Sequence, residues 1–155
     1  MSIFSCGILI YRFTESRLQV LLVHPGGPFW KNKDNGAWSI PKGIYESDEK
    51  PLDAAKREFG EETGFEMDGE FIDLGEAKQP NRKIIHTWAS EMDIDTSKLV
   101  SNKFTLEWPP NSGRINQYPE VDRGQYFDLN LAKKKILKGQ LVFIDRLAKE
   151  LNYNP

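Results

Sequence analysis

Glutamates are concentrated in residues 43–65, which read GIYESDEKPLDAAKREFGEETGF. Glu58, Glu61 and Glu62 fall three and four residues apart, so on a helix their carboxylates share one face. Like charges at this spacing repel each other and need compensation. A divalent cation such as Mg²⁺ or Mn²⁺ would supply it, because both ions prefer oxygen ligands.

The residues around these glutamates predict the helix that must carry them. Pro51 suits a first helical turn, and Gly64 suits the position just past the last turn, so we expect a helix over Pro51–Thr63. A separate apolar stripe would dock this helix on a sheet, namely Leu52, Ala55 and Phe59.

A purely structural interpretation of this helix is also open. Its acidic stripe would then be a solvated face, with Lys56 and Arg57 as partners. The helix carries one unfavourable residue, Gly60, at a mid-helix position where alanine would be more stable by about 1 kcal/mol. We therefore expect Gly60 to pack closely against a strand backbone.

The same stretch resembles the signature of the Nudix hydrolases at every fixed position. The matching residues are Gly43, Glu49, Arg57, Glu58, Phe59, Glu61, Glu62, Gly64 and Phe65. The resemblance implies an α/β fold, specifically an α/β/α sandwich with a mixed β-sheet between helices. It also implies a metal-dependent enzyme in which water attacks a phosphorus atom of a diphosphate.

Carried over by position, the resemblance assigns roles to single residues. The implied metal-binding set, for Mg²⁺ or Mn²⁺, is Gly43 through its carbonyl, Glu58, Glu61 and Glu62. Glu49 and Arg57 match a pair that orients the loop and the helix. The catalytic candidates are Glu58, Glu61 and Glu120. Glu58 is our first choice for the general base, while Glu120 would be a base drawn from a downstream loop, as some members use.

Apolar runs predict the sheet behind this helix. Residues 3–13 and 18–24 read as antiparallel strands joined by a short turn, and their continuous apolar character predicts cover on both faces. Residues 70–79 and 83–92 read as a second hairpin, turned at residues 80–82. Ile84, His86 and Trp88 alternate onto one face of its second strand.

The remaining segments predict shorter elements. Residues 38–43 read as a strand that leads into the acidic stretch, and residues 104–108 and 123–129 read as further strands. Residues 131–138 and 141–151 read as helices. Lysines of the first helix read as a solvated face, namely Lys133, Lys134, Lys135 and Lys138.

Two loops, residues 25–36 and 109–119, are long enough to be functional. The first carries an aromatic pair beside lysines, which could stack a base and contact phosphate, or could simply pack back on the domain. The candidate substrate-binding residues are Phe29, Trp30, Lys31, Lys42, His86 and Arg114. Trp108 and Tyr118 are further candidates for stacking. The strand histidine, His86, has a structural role as its alternative.

Composition limits the class of protein. The 155 residues are expected to form one domain, residues 1–155, large enough for a core of its own. A net charge of −2 and a pI near 5.8 provide no bulk attraction to nucleic acid or to an anionic membrane. The single cysteine, Cys6, reads as a buried strand residue. Neither a signal pattern nor a stretch of ~20 apolar residues is visible, so we expect a soluble cytoplasmic protein.

The expected partner is a small-molecule nucleotide, and a homodimer stays possible. The resemblance favours a nucleoside triphosphate or a dinucleoside polyphosphate, such as diadenosine tetraphosphate, as the substrate. ADP-ribose or a nucleotide sugar is the alternative, because Pro80 lies fifteen residues beyond Phe65, a spacing that resembles the ADP-ribose class. A non-catalytic nucleotide-sensing module is a third hypothesis, although such a module would be expected to lose carboxylates that this chain keeps.

Overall fold

Eight strands and three helices form the chain in the computed structural model, which describes residues 4–45 and 48–154. The strands are β1 (Phe4–Thr14), β2 (Arg17–Pro25), β3 (Lys42–Ile44), β4 (Ile72–Lys78), β5 (Ile84–Glu91), β6 (Lys103–Glu107), β7 (Ile115–Pro119) and β8 (Val121–Asp128). The helices are α1 (Pro51–Thr63), α2 (Leu129–Lys135) and α3 (Leu141–Glu150). The predicted first strand residue, Ile3, lies outside the described residues.

The first hairpin is confirmed, with Tyr11 of β1 opposite Val20 of β2. Its turn needs only Glu15 and Ser16, whose φ angles are 52° and 68°. Positive φ at both central residues gives the turn the twist that two-residue hairpins require.

The main sheet has the strand order β4-β5-β1-β2-β8, and β3 pairs with the first half of β1. The β1–β5 pair is parallel, whereas the pairs β1–β2, β2–β8 and β4–β5 are antiparallel. The sheet is therefore mixed, as the resemblance implied. Strands β6 and β7 form a separate two-stranded sheet, which we call the β6–β7 hairpin.

Helices cover both faces of the main sheet, which explains the continuous apolar character of β1 and β2. Ile8 and Ile10 face α1 in one cluster, while Leu9 belongs to a second cluster with residues of α2 and α3. The α/β/α sandwich is thus confirmed. Cys6 is buried in the first cluster, and burial raises the pKa of its thiol to about 11. Among the described residues, no helix combines the length and apolar character that a membrane span requires.

Three predicted elements differ from the structure by more than two residues at a boundary. Residues 115–119 are the strand β7 rather than loop, because β6 supplies backbone partners that sequence alone does not reveal. Helix α2 ends at Lys135, because Ile136 has an extended backbone and bridges to Trp38. Of the strand predicted over residues 38–43, only Lys42 and Gly43 lie in a named strand, β3, although Ser39 bridges to Val23.

Gly60 does not pack against a strand, so that expectation is wrong. A methyl group added at Gly60 would meet the Phe65 carbonyl oxygen at 3.7 Å, an ordinary contact distance. The residue lies within α1 and has no positive φ. Nothing in its surroundings requires glycine.

We predict that Gly60→Ala stabilises the protein, because alanine loses less backbone entropy in a helix and has room here. The expected gain is about 1 kcal/mol, or an increase in the thermal midpoint of about 2–4 °C for a domain of this size. Differential scanning calorimetry without added metal is the measurement. Gly139→Ala is a contrasting variant at a position without free space, because its added methyl group would lie 2.4 Å from Gln79 Oε1. A lower midpoint for Gly60→Ala would contradict the assignment of free space.

Candidate active site

Helix α1 has the predicted bounds and presents its glutamates toward β3. Gly64 has φ 80° and its N–H donates to the Gly60 carbonyl at 2.8 Å, which ends the helix. Ala55 and Phe59 are fully buried against the sheet. Docking of this apolar side fixes the rotation of the helix and hence the direction of the glutamates.

Arg57 connects α1 to the segment before it. Its Nε and one terminal nitrogen each donate to Glu49 at 2.8 Å, a bidentate pair. The other terminal nitrogen donates to Glu58 at 2.9 Å and to Glu61 at 3.3 Å. These partners, with the Glu49 hydrogen bonds as the largest cause, raise the pKa of Arg57. This is the geometry of an orienting pair, the role that the resemblance implies for Glu49 and Arg57.

Gly43 lies directly against the carboxylate of Glu58. A methyl group added at Gly43 would fall 1.9 Å from Glu58 Cδ and from Glu58 Oε2, so only glycine leaves space for this carboxylate. Burial raises the pKa of Glu58, the Arg57 hydrogen bond opposes the shift, and the charges of Glu61 and Glu120 add to it. The backbone of β3 and the carboxylate of α1 therefore form one cluster.

Glu62 is the most desolvated carboxylate of the cluster. Burial raises its pKa to about 8, with a further contribution from the charges of Glu120 and Glu58. The charge and the backbone N–H of Lys42 oppose this shift, and that N–H donates to Glu62 Oε2 at 3.2 Å. Glu62 is thus held at the junction between α1 and β3.

Glu120 reaches this cluster from the other side. It lies between β7 and β8, its backbone N–H donates to the Asn102 carbonyl at 2.7 Å, and its carbonyl accepts from Gly26 at 2.9 Å. Its charge contributes to the raised pKa values of both Glu58 and Glu62. The fold therefore brings a residue from the end of the second predicted loop to the acidic helix.

Three adjoining cavities lie along this region. The central cavity, of about 260 Å³, has walls that include Trp30, Ser39, Lys42, Glu62, Glu120 and Leu137. The lysine cavity, of about 410 Å³, shares Lys42 and Leu137 with it and adds Lys83 and Lys138. The aromatic cleft, of about 330 Å³, shares Pro25, Trp30 and Glu120 with the central cavity and adds Phe29, Phe104 and Leu106.

A buried histidine fixes the loop that carries Trp30. His24 is fully buried, with Nε2 2.6 Å from the Lys33 carbonyl oxygen and Nδ1 3.0 Å from an Asp122 carboxylate oxygen. Because a carbonyl only accepts, Nε2 carries a proton and donates it. His24 thereby ties residues 25–36 to the beginning of β8, close to Glu120.

The structure brings together most of the predicted site residues. Trp30, Lys42, Glu62 and Glu120 line the central cavity, and Phe29 lines the aromatic cleft. Gly43, which follows Lys42 in the chain, contacts Glu58. Glu61 is directed to Arg57.

Three predicted substrate residues lie elsewhere. His86 pairs with Asp73 at 2.7 Å and stacks on Trp88 with ring centroids 3.9 Å apart. Lys31 is exposed, and Arg114 is the last residue of the connection between β6 and β7. Neither residue lines any of the three cavities. Their roles in binding stay predictions.

Several residues at the cavities carry no clear signal in the sequence. The sequence pattern places Lys138 on a solvated face, yet it lines the lysine cavity, because α2 ends before it. Phe104 and Leu106 alternate with polar residues, a strand signal, but what they face depends on the position of the β6–β7 hairpin. Nothing local marks His24 and Asp122 as partners, because they are 98 residues apart.

Comparison with known proteins agrees with this geometry. Residues 4–147 match the family model described as the NUDIX domain. The chain belongs to the Nudix family. It is therefore a Nudix pyrophosphohydrolase by family, a hydrolase of phosphorus-containing anhydrides, which confirms the enzyme class expected from the acidic stretch.

One curated relative and two solved structures illustrate what this chain is similar to. An RNA pyrophosphohydrolase of Bartonella clarridgeiae is 31% identical over 117 residues, which cover 68% of each chain. The NUDIX domain of Shewanella oneidensis NrtR, solved with ADP ribose, superimposes with a TM-score of 0.65 at 16% identity, covering 97% of this chain and 89% of that one. An Ap4A hydrolase complex from C. elegans superimposes with a TM-score of 0.63 at 17% identity, covering 97% of this chain and 98% of that one. At such low identities the two structures show the shared fold alone.

The donor chemistry of this Nudix site suits a hard divalent cation, as the family generally uses. The carboxylates of Glu58 and Glu62 repel each other, and the ligands on offer are all oxygens. Among the described residues, no three His, Cys, Asp or Glu side chains converge closely enough to hold an ion by themselves. A divalent cation such as Mg²⁺ usually binds through one or two carboxylates and completes its shell with water and substrate phosphates.

We predict that the metal-free protein loses stability as the pH rises from about 5 to 8. The pKa of Glu62 is about 8 in the folded protein, against 4.5 for an ordinary glutamate, so the folded state binds the proton more tightly across that window. The free energy of unfolding therefore falls with increasing pH. Glu62→Gln should flatten this slope in thermal melts recorded with a chelator.

The matched control is Glu66→Gln, which removes an exposed carboxylate just beyond α1 and should keep the wild-type slope. An unchanged slope in Glu62→Gln would show that the pKa of Glu62 does not cause the pH dependence. A reversed slope in the wild-type protein would show the same.

Proposed function

We propose that this protein is a metal-dependent Nudix pyrophosphohydrolase that cleaves a diphosphate linkage in a nucleoside triphosphate or a dinucleoside polyphosphate. The observation that carries the proposal is the cluster at the central cavity. There, the Lys42 N–H donates to Glu62 at 3.2 Å, Glu58 lies against the neighbouring Gly43, and Glu120 lines the same cavity as Lys42 and Glu62. Desolvated carboxylates with raised pKa values beside a cation are typical of a catalytic cluster rather than of a solvated surface.

The metal-binding residues in this proposal are Gly43, Glu58, Glu61 and Glu62. A Mg²⁺ or Mn²⁺ ion bound there would neutralise charge on the diphosphate oxygens during water attack. Lys42 lies between the central cavity and the lysine cavity, where Lys83 and Lys138 add positive charge. We assign the phosphate chain of the substrate to this run of lysines.

Glu58 and Glu120 are the two candidates for the base that takes a proton from the attacking water. Glu58 already accepts a hydrogen bond from Arg57, which stabilises its ionised form. Glu120 lines both the central cavity and the aromatic cleft and is exposed, so water can reach it. Glu58 remains our first choice because it lies against Gly43, within the cluster that defines the site.

The curated relative favours a second substrate class, a pyrophosphate group on RNA. The net charge of −2 argues against broad contact with an RNA chain, because phosphate-backbone binding relies on basic surface. ADP ribose is a third substrate to test, since a structural neighbour binds it.

We predict Mg²⁺- or Mn²⁺-dependent turnover of at least one nucleoside triphosphate or dinucleoside polyphosphate. The panel should also contain ADP-ribose, a nucleotide sugar and a 5′-triphosphorylated RNA, with products identified by chromatography. Glu62→Gln and Glu58→Gln should each lower kcat by about 100-fold or more, since such clusters supply several kcal/mol. Lys56→Gln on the same helix is the control. No turnover of any member by the wild type, or full activity of both variants, would refute the proposal.

The general base can be identified from the pH dependence of kcat/KM. Removing the base should lower kcat and abolish the acidic limb of the profile, whereas removing a residue that only binds metal should be partly offset by a higher metal concentration. We expect Glu58→Gln to lose the acidic limb and Glu120→Gln to keep it. The opposite result would transfer the role to Glu120.

A further inference from the structure

We propose that the aromatic cleft between the β6–β7 hairpin and residues 26–30 is the subsite for the substrate's nucleobase. The cleft adjoins the central cavity, and its wall residues come from two segments far apart in sequence. The proposal depends on the proposed function in one respect only, namely that the ligand is a nucleotide. It assigns Phe104 and Leu106 as specificity-determining residues.

The walls of the cleft suit a flat aromatic group. Phe29 and Trp30 meet edge to face, with ring centroids 5.1 Å apart, and Phe104 and Leu106 contribute the facing side. Phe104 is supported from the other strand of the hairpin by Tyr118, at a centroid distance of 6.1 Å. Bases stack on aromatic side chains in many nucleotide-binding proteins.

Backbone contacts fix the two sides of the cleft relative to each other. Gly27 has φ 94°, and a methyl group there would lie 3.0 Å from the Phe104 ring. Gly26 lies so close to Pro119 that an added methyl group would fall 1.9 Å from its carbonyl oxygen. Together with the hydrogen bond from the Gly26 N–H to the Glu120 carbonyl, these contacts hold the β6–β7 hairpin against residues 26–30. The two segments that carry the side chains of the cleft are therefore held together through their backbones.

The cleft continues into the site of chemistry. Pro25, Trp30 and Glu120 line both the cleft and the central cavity, so a ligand can extend from one into the other. A base in the cleft would direct its phosphate chain past Glu120 toward Lys42. This path is consistent with the phosphate positions assigned above.

Charge separates the two ends of this path. Among the described residues that line the aromatic cleft, the one charged side chain is Glu120, at the end shared with the central cavity, and there is no lysine or arginine. By contrast, Lys42, Lys83 and Lys138 line the lysine cavity. The nearby Lys33 ammonium lies 3.5 Å from the Phe29 ring centroid. A neutral aromatic base therefore suits the cleft, and an anionic phosphate chain suits the opposite end.

The test measures binding of AMP and of ribose 5-phosphate, which differ by the base, using isothermal titration calorimetry. We expect wild-type protein to bind AMP at least tenfold more tightly than ribose 5-phosphate. Phe104→Ala should weaken AMP about tenfold and leave ribose 5-phosphate unchanged, because stacking on one aromatic ring contributes that much. Phe104→Tyr, which keeps a ring, should retain AMP binding.

Two control variants come from the same hairpin. Thr105 is exposed on the opposite side of β6 from Phe104, and Ile115 of β7 is 65% exposed. Thr105→Ala and Ile115→Ala should therefore leave both affinities unchanged. If Phe104→Ala lowers the thermal midpoint substantially, Leu106→Val provides the milder change to the same wall, with a smaller loss of AMP affinity.

The outcomes separate this inference from the proposed function. AMP binding that depends on Phe104 in a protein without turnover supports the base subsite and refutes the hydrolase. Turnover with equal effects of Phe104→Ala on AMP and ribose 5-phosphate refutes the base subsite and leaves the hydrolase standing. Failure of wild-type protein to prefer AMP over ribose 5-phosphate also refutes the subsite.

Discussion

Arg57 holds together a group of carboxylates that would otherwise repel one another. Its guanidinium binds Glu49 in a bidentate pair and also donates to Glu58 and Glu61. The planar fork of arginine can serve several carboxylates in fixed directions, which a lysine ammonium cannot do. The candidate site depends on this interaction, because it fixes the position of Glu58 relative to Glu49 in the segment before α1. The Gly43 backbone can then lie against Glu58 without a side chain between them.

Desolvation of the carboxylate cluster lowers the stability of the fold at neutral pH. Glu62 is desolvated by the same docking of α1 that buries Phe59, and its raised pKa records the free energy of holding a carboxylate there. The Lys42 N–H and ammonium offset only part of this cost. Destabilised charged groups at a cavity are characteristic of functional sites, where ligand binding supplies the missing compensation.

The segments around the cluster are held by contacts of long sequence separation. His24 binds Asp122 and the Lys33 carbonyl, while Gly26 donates to the Glu120 carbonyl. The loop with Trp30, the end of the β6–β7 hairpin and the beginning of β8 therefore form one wall. A loop fixed in this way can present aromatic side chains with little loss of conformational entropy on binding.

The sequence by itself determined helix α1, the two hairpins of the main sheet and the acidic cluster. These features follow from local rules: the spacing of Glu58, Glu61 and Glu62, the terminal Pro51 and Gly64, and the period of the apolar residues. Only the tertiary structure decided that Glu120 lines the same cavity as Glu62 and that His86 pairs with Asp73. It also decided that Phe104 and Trp30 line one cleft. The physical reason is that helix and strand patterns arise from neighbours along the chain. The walls of a cavity are instead set by the packing of segments whose separation in sequence carries no signal of contact.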